Sequence, residues 1–188
     1  MTRLPWLTFI LVLGCGFIYL VDTQDWGLYN RSLVSQKWRF ITASFSHYDL
    51  FHLASNSIVL LVLGSVFEKR CRLLQFSVLT LLVMFSSVLV LHFFLDEYVT
   101  YAGISCLNFA LMGWFLCIEG ERRPAAGIAA LLLLVGYEFY VVVIEPGRGP
   151  DLTRPVWQLH LLSFAEGIGF YLVQKYGLKT YPGRLAVR

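Results

Sequence analysis

Read as apolar and polar positions, the chain is a series of long apolar blocks separated by short polar joints. The blocks fall at residues 4–22, 50–67, 73–95, 103–118, 125–144 and 157–174. Most approach the length of about 20 residues that an α-helix needs to cross a hydrocarbon core roughly 30 Å thick. The pattern predicts an all-α membrane protein with six transmembrane helices, residues 1–188 forming a single domain with no soluble appendage. The first block follows Arg3 as the core of a signal peptide would. It lacks a small-residue cleavage site, however, and is read as a spanning helix.

The fourth block differs from the rest. From Gly103 to Ile118 it rises only about 24 Å at 1.5 Å per residue, short of a full crossing. A short helix in a bundle begins below the membrane surface, and the backbone feeding it is tolerated there only where protein buries it or water reaches it. Ser105 stands at that start, which predicts a submerged, water-accessible hydroxyl.

Composition supports the membrane reading. Hydrophobic residues make up 57% of the chain and charged residues 14%, too apolar for a soluble domain to cover its surface with polar groups. A net charge of +3 is too small to indicate a nucleic-acid partner. The basic residues are distributed unevenly. With the N-terminus inside, the inner segments carry Arg3, Lys69, Arg70, Arg72, Arg122, Arg123, Lys175, Lys179, Arg184 and Arg188, ten of the fifteen. The positive-inside rule therefore places both termini in the cytoplasm. The first outer segment, 23–49, carries Trp26, Tyr29, Trp38, Phe40, Phe45 and Tyr48, a composition suited to the headgroup region. Residues 145–150, Glu-Pro-Gly-Arg-Gly-Pro, are turn formers. Cys15, Cys71, Cys106 and Cys117 lie in or beside apolar blocks without CxxC spacing. They read as small buried hydrophobes, and no metal or other cofactor is expected.

Polar residues inside apolar helices must face the bundle interior, and small ones let backbones approach. The second block holds His52 and Asn56 at i and i+4, with Gly64 and Glu68 on the same stripe. The sixth holds His160, Ser163 and Gly167 at i, i+3 and i+7. With Ser105, three helices supply a hydroxyl, two imidazoles and an amide. Acyl transfer needs these parts: a nucleophile, a base of matching pKa and donors for the oxyanion.

The motifs in sequence order resemble those of bacterial rhomboid proteases. Trp38-Arg39, His47-Tyr-Asp-Leu-Phe-His52-Leu-Ala-Ser-Asn56 and Gly64-Ser-Val-Phe-Glu68-Lys-Arg70 resemble that family's first loop and second helix. Tyr101-Ala-Gly103-Ile-Ser105-Cys106-Leu-Asn-Phe109-Ala-Leu-Met-Gly113 resembles its serine-bearing fourth helix, and Gly120-Glu-Arg-Arg-Pro124 its next inner turn. His160-Leu-Leu-Ser163-Phe-Ala-Glu-Gly167 resembles the histidine-bearing sixth helix. The resemblance implies a six-transmembrane-helix rhomboid bundle with a short central fourth helix, in a bacterial inner membrane. It implies a Ser–His dyad of Ser105 as nucleophile and His160 as general base. His52 and Asn56, with the Ser105 backbone N–H, would form the oxyanion hole. Phe109 takes the place of a tyrosine that packs on the base, and the fifth helix would gate entry. The implied partners are single-span or membrane-anchored protein substrates, whose identity the sequence does not give.

Three departures stand out: Cys106 where the family's GxSG motif has its second glycine, Ser163 for a glycine where the fourth and sixth helices meet, and Ala43 for a histidine of some members. The first two are expected to widen the local spacing. Cys106 as an alternative nucleophile is the weaker reading beside a tolerated substitution. Glu68 is expected to cap the second helix at the inner face, His47 to support the first loop, and His92 to lie at the interface. Glu138, on the fifth helix beside Tyr137 and Tyr140, resembles a feature of rhombosortases, relatives thought to trim sorting anchors. It reads either as a recognition or gating group or as a hydrogen-bonded structural acid; Glu166 needs an interior partner. Other functions are an inactive rhomboid-like pseudoprotease that binds transmembrane helices, a haem protein using His52, His92 or His160, and a transporter. Haem leaves His52–Asn56 and the GxS start without purpose, and the two halves lack the matched interruptions of a transporter.

Overall fold

A computed structural model describes residues 4–21, 28–29, 35–95, 100–122, 125, 132, 136 and 157–177. Helix α1 runs Trp6–Val21, and strand β1 covers Leu28–Tyr29. A short α2, Arg39–Thr42, precedes α3, Leu50–Arg70, and α4, Leu73–Phe94. Strand β2, Thr100–Tyr101, leads into α5, Ser105–Arg122, and α6 covers Trp157–Tyr176. The expected helix at 125–144 and the turn-rich segment 145–150 lie outside the described residues, apart from 125, 132 and 136.

The helical architecture carries one small addition that apolar periodicity does not reveal. Leu28 pairs with Tyr101 and Tyr29 with Thr100 in a two-residue antiparallel ladder. It ties the long first loop to the segment entering α5. The helix ends also shift. Asp49 caps α3 from an extended backbone, its carboxylate accepting the His52 N–H at 2.7 Å. The helix then continues one turn beyond the apolar block to Arg70, because Lys69 and Arg70 suit a helix C-terminus. Helix α5 starts two residues later than the apolar block and ends four later, so its 18 residues rise about 27 Å, against about 31 Å for the 21 of α3. The fourth helix is shorter than its neighbours α3 and α4, but less so than apolarity alone suggests, since its polar last turn, Glu119–Arg122, is still helical.

Among the described residues, α3 and α4 are long and apolar enough to cross a membrane, and α1 is a shorter apolar helix of 16 residues. Helix α5 sits in the centre: from Ser105 to Gly120 none of its residues is exposed. Helices α1, α3 and α4 show bare apolar side chains outward, among them Leu13 and Leu20 of α1, Ile58 of α3, and Leu81 and Phe85 of α4. Such an exterior suits lipid and not water.

Packing makes α3, α5 and α6 parallel. At one end, Arg70 pairs with Glu119 at 3.0 Å, Lys175 pairs with Glu121, and Trp114 donates to Gln174 at 2.8 Å. Phe67 packs beside them against Phe76, Trp114 and Phe170. Glu68 belongs to this end too, with a different role from the one expected. It caps α1, not its own helix: Oε1 accepts the Thr8 N–H at 2.5 Å and the Thr8 hydroxyl at 2.7 Å. A helix start offers N–H donors without intrahelical acceptors, and a carboxylate there answers both their hydrogen bonding and the dipole. Gly64, one turn before Glu68, makes room for this, since a Cβ there would lie 2.7 Å from Thr8 Oγ1.

Candidate active site

At the other end, the N-termini of α3, α5 and α6 converge. Gly103 has φ +100°, a conformation that glycine adopts without strain, and turns the chain into α5. Its N–H donates to the carbonyl of Ala43 at 2.8 Å. Ala43 is fully buried, so the position that departs from some family members serves here through its backbone. Two residues earlier, Tyr101 lies 3.1 Å from the Ser44 hydroxyl, and burial holds its pKa well above the usual range. The turn is thus held by both the first loop and the ladder.

Ser105 is the first residue of α5. The first intrahelical bond runs from Asn108 N to Ile104 O at 3.2 Å, leaving the N–H groups of Ser105, Cys106 and Leu107 without intrahelical acceptors. Ser105 Oγ lies 2.9 Å from His160 Nε2, on the first turn of α6, and both residues are half-buried. Phe109, one turn on from Ser105, stacks on the imidazole with centroids 4.2 Å apart and planes 7° from parallel. The ring at this position holds the histidine by its face alone, with no hydroxyl.

His52 and Asn56 approach the same turn from α3. A Cβ at Gly103 would stand 2.9 Å from His52 Cε1, 3.1 Å from His52 Nε2 and 3.6 Å from Asn56 Nδ2. Both groups therefore border the backbone just before Ser105, and a side chain at 103 would press on His52 while only touching Asn56. Tyr48 stacks over His52 at 5.6 Å, and His47 meets its ring at 4.9 Å. His47 donates from Nδ1 to the Phe45 carbonyl at 3.0 Å, so the other nitrogen carries the lone pair. Burial and the neighbouring His52 lower the His47 pKa to about 4, which keeps it neutral.

Behind the serine, Cys106 is buried among the hydroxyls of Ser87, Ser163 and Tyr101. Ser163 is fully buried, and neither its hydroxyl nor that of Ser87 makes a regular hydrogen bond among the described residues. The expected widening between the helices is absent further along. A Cβ at Gly167 would fall 1.8 Å from the Ala110 carbonyl oxygen, and one at Gly113 would fall 2.2 Å from that of Phe164. Glu166 is half-buried near Ser86, with Oε2 unpartnered among the described residues. His92 is exposed in the last turn of α4. Glu138 lies outside the described residues.

Sequence reasoning did not single out Asn108. It lies one turn beyond Ser105, is buried, and donates through Nδ2 to Asn56. The signal was available, since an amide inside an apolar helix requires a partner.

The Rhomboid domain family model matches residues 34–174, well over half of the chain. The chain belongs to the rhomboid family. It is similar to rhomboid protease GlpG of Klebsiella pneumoniae, 33% identical over 100 residues that cover 53% of this chain and 35% of that protein. It is also similar to rhomboid protease GlpG of Yersinia pestis, 30% identical over 138 residues that cover 69% of this chain and 48% of that protein. The matched region thus spans less than half the length of these relatives. Family membership and the apolar helices together make this rhomboid-family chain an integral membrane protein.

Proposed function

We propose that this rhomboid-family protein is an intramembrane serine endopeptidase, with Ser105 as nucleophile and His160 as general base. The observation that carries this reading is the 2.9 Å contact between Ser105 Oγ and His160 Nε2 at the start of a buried helix. Similarity to two proteins named as rhomboid proteases supports it.

In the reaction, Ser105 Oγ attacks the scissile carbonyl carbon while its proton passes to His160 Nε2. The carbonyl oxygen becomes an oxyanion, met by the Ser105 N–H, His52 Nε2 and Asn56 Nδ2. The three converging helix N-termini add positive potential there. Collapse breaks the C–N bond, and the imidazolium returns its proton to the departing amine. A water molecule, deprotonated by His160, then attacks the acyl ester; the C–Oγ bond breaks, the imidazolium returns its proton to Ser105 Oγ, and the acid is released. Donors already in place need no reorganisation, and removing one commonly costs about 10²–10³ in rate.

The substrates are single-span or membrane-anchored proteins cut near the outer face, on a bacterial inner membrane with both termini of this chain inside. Arg70, Arg72 and Lys175 sit at the bundle end opposite Ser105, which fits that orientation. The test is cleavage of a panel of single-span model substrates by wild type, Ser105→Ala and His160→Ala, beside labelling with a fluorophosphonate. Wild type should cleave and label, and both variants should do neither. An unlabelled, inactive wild type would instead favour a helix-binding pseudoprotease. Glu138→Gln in the same panel tests its recognition role; unchanged rates and preference discard it.

A further inference from the structure

Among the described residues, the Asn108 side chain makes two hydrogen bonds, both to Asn56: its Nδ2 lies 3.1 Å from the Asn56 backbone oxygen and 3.0 Å from Asn56 Oδ1. A backbone carbonyl only accepts, so the Asn108 atom facing it must be the amino group. That amino group also faces the side chain of Asn56, which must therefore present its own carbonyl oxygen. The amino group of Asn56 is then left pointing away, toward the turn at Gly103, where Nδ2 stands 3.6 Å from the position of a Cβ. One fixed carbonyl thus decides, through two amides, which end of Asn56 borders the start of α5.

The arrangement carries a cost. Asn108 is only 4% exposed, and its Oδ1 has no hydrogen-bond partner among the described residues. Leucine at this place would pack without leaving an acceptor bare. A half-satisfied amide in an apolar helix is therefore a poor choice for packing alone, but its donor end is fully used.

We infer that Asn108 is a positioning residue for the oxyanion hole, locking Asn56 in the amide orientation that presents N–H donors, and not a carbonyl oxygen, to the forming oxyanion. This rests on the reading of the protein as a serine endopeptidase. Without Asn108 the Asn56 amide turns freely, and in its flipped state an oxygen dipole opposes the oxyanion. An acceptor-only carboxylate at position 108 draws the Asn56 amino group to itself and favours that flipped state.

The experiment uses the full chain in liposomes, with kcat and KM on a single-span substrate, the fluorophosphonate labelling rate and the thermal midpoint. Asn108→Leu should lower kcat and labelling roughly tenfold or more, part of the 10²–10³ seen when a donor is removed outright, with KM and thermal midpoint held. Asn108→Asp should lower kcat further. On an Asn56→Ala background, Asn108→Leu should change kcat by less than about twofold, because its effect runs through Asn56. Asn108→Ala serves the same comparisons if the leucine variant does not fold. Full kcat in Asn108→Leu overturns the inference, as does a loss that tracks the thermal midpoint and multiplies with that of Asn56→Ala. Those outcomes leave the wild type active and the endopeptidase reading intact. A wild type no more active than Ser105→Ala removes both.

Discussion

Ser105 rides on α5 and His160 on α6, so their separation depends on how closely these helices pack. At Gly167 an added Cβ would sit 1.8 Å from the Ala110 carbonyl oxygen and 2.7 Å from its carbon, whereas real Cβ contacts stay beyond 3.0 Å. Both obstacles are backbone and cannot rotate aside. Gly167→Ala must therefore part the helices by about 1.2 Å at that level, two turns from His160. Carried rigidly along α6, this takes the 2.9 Å contact between Oγ and Nε2 to about 4 Å; half the shift already reaches about 3.5 Å, the edge of hydrogen bonding. A misplacement near 1 Å costs on the order of 10²-fold in rate, and overpacking costs about 1–3 kcal/mol of stability. The assay is cleavage of a single-span substrate in liposomes, read with the thermal midpoint. Gly169→Ala is the control: on the same helix its Cβ meets nothing within 4 Å, and it should keep its rate and gain up to about 1 kcal/mol of helix propensity. Cleavage by Gly167→Ala at the wild-type rate, with an unchanged midpoint, would refute this coupling of helix spacing to the Ser105–His160 contact.

Other substitutions separate catalysis from scaffold. His52→Ala and Asn56→Ala should each lower kcat about 10²–10³-fold with little change in KM, checked by steady-state kinetics. Glu68→Ala removes the cap of α1 and should cost about 1–2 kcal/mol by thermal unfolding while leaving kcat unchanged at low temperature. His47, with its pKa near 4 against the usual 6.5, stays neutral in the fold while the unfolded chain takes up a proton. Its contribution is complete above about pH 6.5 and is lost as pH falls toward 4, up to about 3 kcal/mol, so His47→Asn should flatten the acid side of the stability profile. Cys106→Gly should lower the thermal midpoint, through a cavity beside the hydroxyls of Ser87 and Ser163, and Cys106→Gly with Ser163→Gly should cost less than the sum of the single changes.

What the sequence made legible follows from the bilayer as solvent. Lipid forces each spanning segment to be apolar, so α3 and α4 stood out as blocks. It also makes polar residues within them conspicuous, which brought His52, Asn56, Ser105 and His160 into view together. The extent of α5 was less legible, because a helix wrapped in protein can end in Glu119–Arg122 without apolar signal. The ladder between Leu28–Tyr29 and Thr100–Tyr101 rests on two residues a side, too few for any periodicity. Glu68 was misassigned for a related reason: its charge and place fit a cap, but only tertiary contact reveals which helix start it meets. Asn108 escaped notice because spacing relates it to Ser105, while its partner is on α3.

The departures at 106 and 163 are best understood as one change. A glycine pair lets two helices touch by removing side chains from both sides. Here Cys106 and Ser163 are both buried, and the thiol fills space among the hydroxyls of Ser87, Ser163 and Tyr101. The close approach is supplied instead by Gly113 against Phe164 and Gly167 against Ala110, one to two turns further along. A sulfur in that place is compatible with the contact between Ser105 and His160, because Ser105 and Cys106 are consecutive residues on a helix and project about 100° apart. The larger side chain fills the back of the site while the hydroxyl keeps its face toward α6. Cys106 therefore bears on packing behind Ser105 and leaves the Ser105–His160 spacing to Gly113 and Gly167, which hold the helices together.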